Sequence, residues 1–136
     1  MDLHDDVKYT LALAPVAAIT NDTAMVSAII DTANFVNTEL VLITGTLTDA
    51  DAAFTVLIED GDNSALSDAA AVADANLLGT EALAGFTFAN DNVTKKIGYI
   101  GAKRYVRATV TPTNNTGNFF LAAVWAQGGA RKSPQS

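Results

Sequence analysis

The sequence predicts an all-β fold: an antiparallel β-sandwich of about seven to nine short strands with Greek-key or jelly-roll-like connections. Two observations carry this expectation. Short runs alternate apolar and polar residues with period two, and clusters of Gly, Asn, Asp and Thr separate them. Strands at such spacing build a sandwich or barrel rather than βαβ units. The whole chain, 1–136, reads as one domain, with extended polar arms at about 1–6 and 127–136 that contribute little to a core.

Residues 7–13 (VKYTLAL) form the first expected strand, stopped near Pro15. Residues 25–30 follow the turn-like segment at 20–23. In 40–47 (LVLITGTL), Val41, Ile43 and Leu47 share one face and Leu40 and Leu42 the other; the first set is assigned to the core. In 54–59, Phe54, Val56 and Ile58 point inward, opposite Thr55, Leu57 and Glu59. The Ala-rich stretch 64–78 (SALSDAAAVADANLL) reads as a loop with about one helical turn. Segments 97–100, 105–111 and 119–126 complete the set, adding Val106, Val110, Phe119 and Leu121 to the expected core. Trp125, the single tryptophan, is in phase with Phe119 and Leu121 and is expected to anchor that core.

Charge is divided along the chain. All fifteen acidic residues lie at or before Asp91, and seven of the eight basic residues lie at or after Lys95. The acidic part therefore carries −14, the basic part +7, and the chain −7. A basic segment of this kind must face something negative, and the nearest candidate is the acidic part of the same or a neighbouring copy. Net negative charge repels a polyanion, so no direct nucleic-acid contact is expected. The most distinctive string, residues 98–107 (GYIGAKRYVR), places Lys103, Tyr105 and Arg107 on one strand face. That cation–aromatic–cation row suits pairing with carboxylates on an adjacent strand or subunit. With Arg131 and Lys132 of the C-terminal arm, these are the candidate interface residues.

The composition argues against an enzyme. There is no cysteine, and the single His4 lies in a polar leader. No G-x-S-x-G, S-x-x-K or phosphate-loop pattern occurs, so neither a catalytic set nor a cofactor is expected. Asp49 and Asp51, and Glu59, Asp60 and Asp62, could offer hard oxygens to Ca²⁺. The second group fails as an EF-hand, because Ala71 occupies its twelfth position. These residues read as turn formers, and no metal is expected. The apolar run 11–19 is broken by Pro15 and too short to span a bilayer, so no membrane partner is expected. The opening MDLHDDVKYT has no basic or apolar signal region, which suggests synthesis in a cytoplasm.

Three strings, 44–64 (TGTLTDADAAFTVLIEDGDNS), 67–82 (SDAAAVADANLLGTEA) and 95–118 (KKIGYIGAKRYVRATVTPTNNTGN), resemble a family of small structural proteins of tailed bacteriophages and prophages. The resemblance spans roughly Leu3 to Lys132 and rests on no catalytic motif. It implies a capsid decoration or cement protein on the virion surface, made in the bacterial host cytoplasm. Its implied partners are the major capsid protein and itself, as a homotrimer at threefold positions. A tail or head–tail connector subunit and a carbohydrate-binding adhesion module remain the alternatives.

Overall fold

A computed structural model describes residues 2–15 and 18–130. Its strands are β1 (Lys8–Leu13), β2 (Met25–Val26), β3 (Ile30–Asp31), β4 (Asn37–Leu47), β5 (Ala53–Gly61), β6 (Ala70–Ala71), β7 (Leu77–Leu78), β8 (Phe86–Thr87), β9 (Thr94–Tyr99), β10 (Tyr105–Thr113) and β11 (Phe119–Gly128). Two single-turn helices, α1 (Leu3–Asp6) and α2 (Glu81–Ala84), and a 3₁₀ turn at Asp74–Asn76 join them. The first sheet has the order β1-β11-β4-β9-β7. The second has the order β2-β10-β5-β6, with β3 also on β10 and β8 also on β5. The long strands alternate between sheets along the chain: β4 in the first, β5 in the second, then β9, β10 and β11 in turn. That alternation, with all pairings antiparallel, is a jelly roll, as the sequence predicts.

The core lies between the sheets. Leu40, Leu42, Ile58, Val106, Val110, Phe119 and Trp125 are fully buried. Phe54 joins the layers, stacked on Phe86 with centroids 4.6 Å apart and meeting Phe119 edge-on at 4.5 Å. Trp125 donates its Nε1–H to the Ala28 carbonyl at 3.3 Å, so its one polar atom does not oppose burial. Burial of these faces stabilises the fold at about 25 cal/mol per Å² before chain entropy is subtracted.

Along β5, β10 and β11 the expected inward residues are the buried ones. Along β4 the phase is reversed. Leu40 and Leu42 are the core residues, whereas Val41 is half-buried and Ile43 is 44% exposed on the opposite face. Leu47 is nevertheless buried, because a β-bulge resets the alternation. Phe119 pairs with Leu47 but Leu121 with Thr44, so β4 carries one extra residue there. Gly45 lies in the bulge, where an added Cβ would sit 2.9 Å from Cβ of Phe120. Only glycine lets Phe120 cross the strand at that point.

Other boundaries differ for identifiable reasons. The expected 25–30 strand divides at Ser27, whose Oγ accepts from the Ala108 N–H at 2.9 Å and donates to the Ala28 carbonyl. A side chain thus replaces one ladder bond. The strand expected to end at Thr111 runs through Pro112 to Thr113. Ala108, of the same parity as Pro112, directs its N–H away from β5 toward Ser27, and β2 reaches only as far as Val110, so no pairing is lost at the proline. β11 runs to Gly128, past the expected arm boundary at 127, and Gln127 is 1% exposed. Gln127 donates to the Asp31 carbonyl at 3.0 Å and to Thr38 Oγ1 at 3.3 Å. The 64–78 segment supplies β6, the 3₁₀ turn and β7 rather than a plain loop. At the other end, α1 is capped by Asp2, which accepts from the Asp5 N–H.

Candidate interaction surface

The outward side of the second sheet carries the basic strand β10. Val106 and Ala108 point inward, so Tyr105 and Arg107 point out, and Arg107 stands directly opposite Glu59 of β5. Its Nε donates to Glu59 Oε1 at 3.2 Å. Lys103, just ahead of the strand, reaches Asp62 at 3.1 Å, which raises the lysine pKa. Arg104 grips Asp31 with two bonds of 2.9 and 2.8 Å and covers the Tyr105 ring at 5.1 Å. That guanidinium holds the Asp31 carboxyl below the usual carboxylate range. The two cations of that row, Lys103 and Arg107, are each paired with a carboxylate of their own chain, and Tyr105 lies under Arg104. Arg131 and Lys132 lie outside the described residues.

The acidic turns have structural work of their own. Asp49 accepts from the N–H groups of Asp51, Thr116 and Gly117 and from the Thr116 hydroxyl, at 2.7–3.2 Å. Those donors, the Thr116 N–H foremost, hold its pKa at about 2 against an ordinary 3.8. Asp68 accepts from the N–H groups of Asp62 and Asn63, which lowers its pKa. Tyr99 donates its hydroxyl to Asp60 at 2.7 Å and accepts from the Lys103 N–H, and burial raises its pKa. His4 is exposed on α1. Among the described residues no three His, Cys, Asp or Glu side chains are grouped to hold a metal ion. A groove of about 510 Å³ opens beside β5, lined by Phe54, Val56, Phe86 and α2. Its one carboxylate, Glu81, already accepts from the Ile58 N–H at 2.7 Å.

The first sheet presents a different outward surface, and its register reads out in rows. One row runs Tyr9, Ala126, Glu39, Gly98, Leu78. The next runs Leu11, Val124, Val41, Lys96, and a third Ala122, Ile43, Thr94. Tyr9 is 60% exposed, Leu11 54%, Leu78 55%, and Ile43 and Phe120 44% each. Scattered exposed apolar residues need no explanation, but contiguous rows across neighbouring strands make an apolar patch of the kind that interaction surfaces present. Glu39 and Lys96 are the only charges in these rows. Neither has a side-chain hydrogen bond or ion pair among the described residues.

The candidate residues read from the sequence did not include this face. The signal was present: ELVLIT in β4 and FFLAAVWA in β11 are apolar on both parities, the pattern of strands covered on both sides. The exposed aromatics of this face, Tyr9 and Phe120, stand apart. Tyr9 pairs beside Ala126 while Phe120 lies six residues further along β11, about 20 Å away at 3.3 Å per residue.

No protein-family pattern matches the chain, and no curated protein does. Among solved structures, PBSX exported protein XepA, which is phage-related, superposes with a TM-score of 0.57 at 15% identity. That match covers 100% of this chain and 41% of XepA. The VP2 subviral particle of infectious bursal disease virus gives 0.51 at 13% identity, covering 93% of this chain and 34% of VP2. The xylan-binding module CBM15 gives 0.46 at 7% identity, over 97% of this chain and 96% of the module. The chain thus spans less than half of XepA and of VP2. At these identities the likeness to XepA and VP2 speaks to the fold alone. No helix among the described residues is long and apolar enough to cross a membrane.

Proposed function

We propose that this chain is a non-enzymatic structural subunit of a tailed-phage virion, attached to the exterior of the capsid. The observation that carries the reading is the uncovered apolar face of the first sheet, which includes Leu11, Val41, Ile43 and Val124. A folded domain that leaves such a face bare is built to bury it against protein. The resemblance of its sequence to phage structural proteins supplies the setting, and a jelly-roll likeness shared with a phage-related protein and a viral capsid protein agrees with it. The partners are the major capsid protein and further copies of this chain. A subunit that binds only the expanded shell lowers that state's free energy by mass action, and repeated copies turn weak contacts into firm attachment.

The test is co-sedimentation with expanded capsids, comparing wild type with the double variant Val41→Lys, Ile43→Lys. Both positions point outward, so the circular-dichroism spectrum should stay that of a β protein while capsid attachment, which gains from copies joined through this face, is weakened. Wild-type protein that ignores capsids would sink the reading. Binding to a tail or connector would relocate the subunit within the virion, and glycan-array binding by the isolated domain would favour an adhesion module.

A further inference from the structure

We infer that the face of the first sheet is covered by a second copy of this chain, packed sheet on sheet about a twofold axis. The inference rests on the structural-subunit reading for its setting and names the partner of that same face. Charge is the first argument. The chain carries −7, so two copies repel over most of their surfaces. Among the paired rows of this face the only charges are Glu39 and Lys96, which sum to zero. Here two copies meet without net repulsion.

Self-complementarity is the second. An isologous contact uses the same patch twice, so each feature must find its counterpart in the identical surface. Glu39 pairs with Gly98 and Lys96 with Val41, which sets the two opposite charges diagonally on neighbouring strands. Neither has an ion-pair partner among the described residues. A twofold axis lying in the face and bisecting the line between them brings each Glu39 against the Lys96 of the other copy. Two ion pairs then close at once, on one side of an apolar patch formed by Leu11, Val124, Val41 and Ile43. A second copy offers the matching pair at the matching spacing by construction.

Area is the third. Strands β1, β11, β4 and β9 hold six, ten, eleven and six residues. At about 3.3 Å along each strand and about 4.8 Å between strands, the face covers roughly 500 Å² per copy and about 1,000 Å² in all, the size a specific interface must reach. Stacked at about 10 Å, the pair makes a four-layer sandwich with an ordinary sheet-to-sheet interior.

The experiment is sedimentation velocity on the full chain from about 1 to 500 µM, with light scattering to fix stoichiometry. Wild type should form dimers. Glu39→Lys presents two cations per face and Lys96→Glu two anions, so each variant alone should dissociate about tenfold more readily or worse. An equimolar mixture of the two variants should regain association to within about threefold of wild type, because every cation again meets an anion. Glu39→Gln and Lys96→Gln serve as neutral substitutes if a reversal disturbs folding; each alone should weaken association, and their mixture should recover part of it, because the mixed dimer restores one of the two ion pairs. A monomer at every concentration, a trimer or ring, or a mixture no tighter than its components overturns the inference. Capsid attachment by a monomer would leave the structural-subunit reading standing alone. A dimer that ignores capsids would do the reverse.

Discussion

The two sheets of this sandwich turn unlike surfaces to their surroundings, although both are built from alternating strands of one chain. The outward side of β10 and β5 is mostly threonine and paired charge, interrupted by Leu57 and Tyr105, with Arg107 on Glu59 and, ahead of β10, Lys103 on Asp62. The outward side of β1, β11, β4 and β9 is mostly Leu, Val, Ile and Ala, and its charges in the paired rows, Glu39 and Lys96, have no ion pair among the described residues. The contrast reassigns the two main features of the sequence. Three of its cations, Lys103, Arg104 and Arg107, are answered inside the molecule by Asp62, Asp31 and Glu59. What looks outward is the second apolar parity of β4 and β11. A charge asymmetry along a chain thus reports on strand neighbours, while apolar residues left over after the core is filled report on partners.

The largest expected effect tests whether adjacent residues of β4 really serve different layers. Leu42→Ala removes a side chain with no exposed surface and should cost about 2–5 kcal/mol through lost transfer energy and the cavity left behind. Ile43→Ala, one residue along and 44% exposed, should cost under about 1 kcal/mol when unfolding is measured on dilute monomer. Urea midpoints for the pair check this. Equal costs would break the comparison of faces, and a reversed order would restore the phase expected from the sequence.

That reversed phase shows what the sequence could and could not disclose. Strands β5 and β10 have one apolar parity that dominates, β11 has Trp125 to favour one, and their inward residues were legible. In β4 the string Leu40, Val41, Leu42, Ile43 is apolar on both parities, so alternation alone does not choose a face. Leu47, on the parity of Val41 and Ile43, pointed to the wrong choice because the bulge at Gly45 brings it inward after a change of phase. The two-residue strands β6, β7 and β8 are too short to show any alternation. For the site, the cations at 103 and 107 were visible, but their partners Asp62 and Glu59 depend on strand register that no local pattern encodes.

A smaller effect concerns how the two sheets are joined at one end. Asp49 in the β4–β5 connection ties down Thr116 and Gly117 in the β10–β11 connection, and both connections cross between sheets. Its folded-state pKa, about 2, lies below the ordinary 3.8, so its stabilisation is present above about pH 4 and is lost as pH falls toward 2. Asp49→Asn should lower the melting temperature at pH 7, and the gap from wild type should close between pH 4 and pH 2. A gap that persists in acid would mean that neutral hydrogen bonding, rather than the carboxylate charge, holds the two connections together.

Ionic strength should produce the smallest effect, and it separates the two faces most directly. If copies met through Lys103 and Arg107, screening would weaken association steeply, because the Debye length falls from about 14 Å to about 4 Å between 0.05 and 0.5 M salt. Those cations are instead paired within the chain. Contact through the first sheet involves two ion pairs at its edge, each worth under about 1 kcal/mol, against an apolar area that salt does not screen. The same salt also relieves repulsion between copies that each carry −7, which acts in the opposite direction. The dimer dissociation constant should therefore change by no more than about threefold over that range. The double reversal Lys103→Glu, Arg107→Glu should leave association intact, while lowering monomer stability by about 1 kcal/mol at the Arg107 position, whose pair is partly shielded from water. A hundredfold salt effect, abolished by that double reversal, would move the interface to the second sheet.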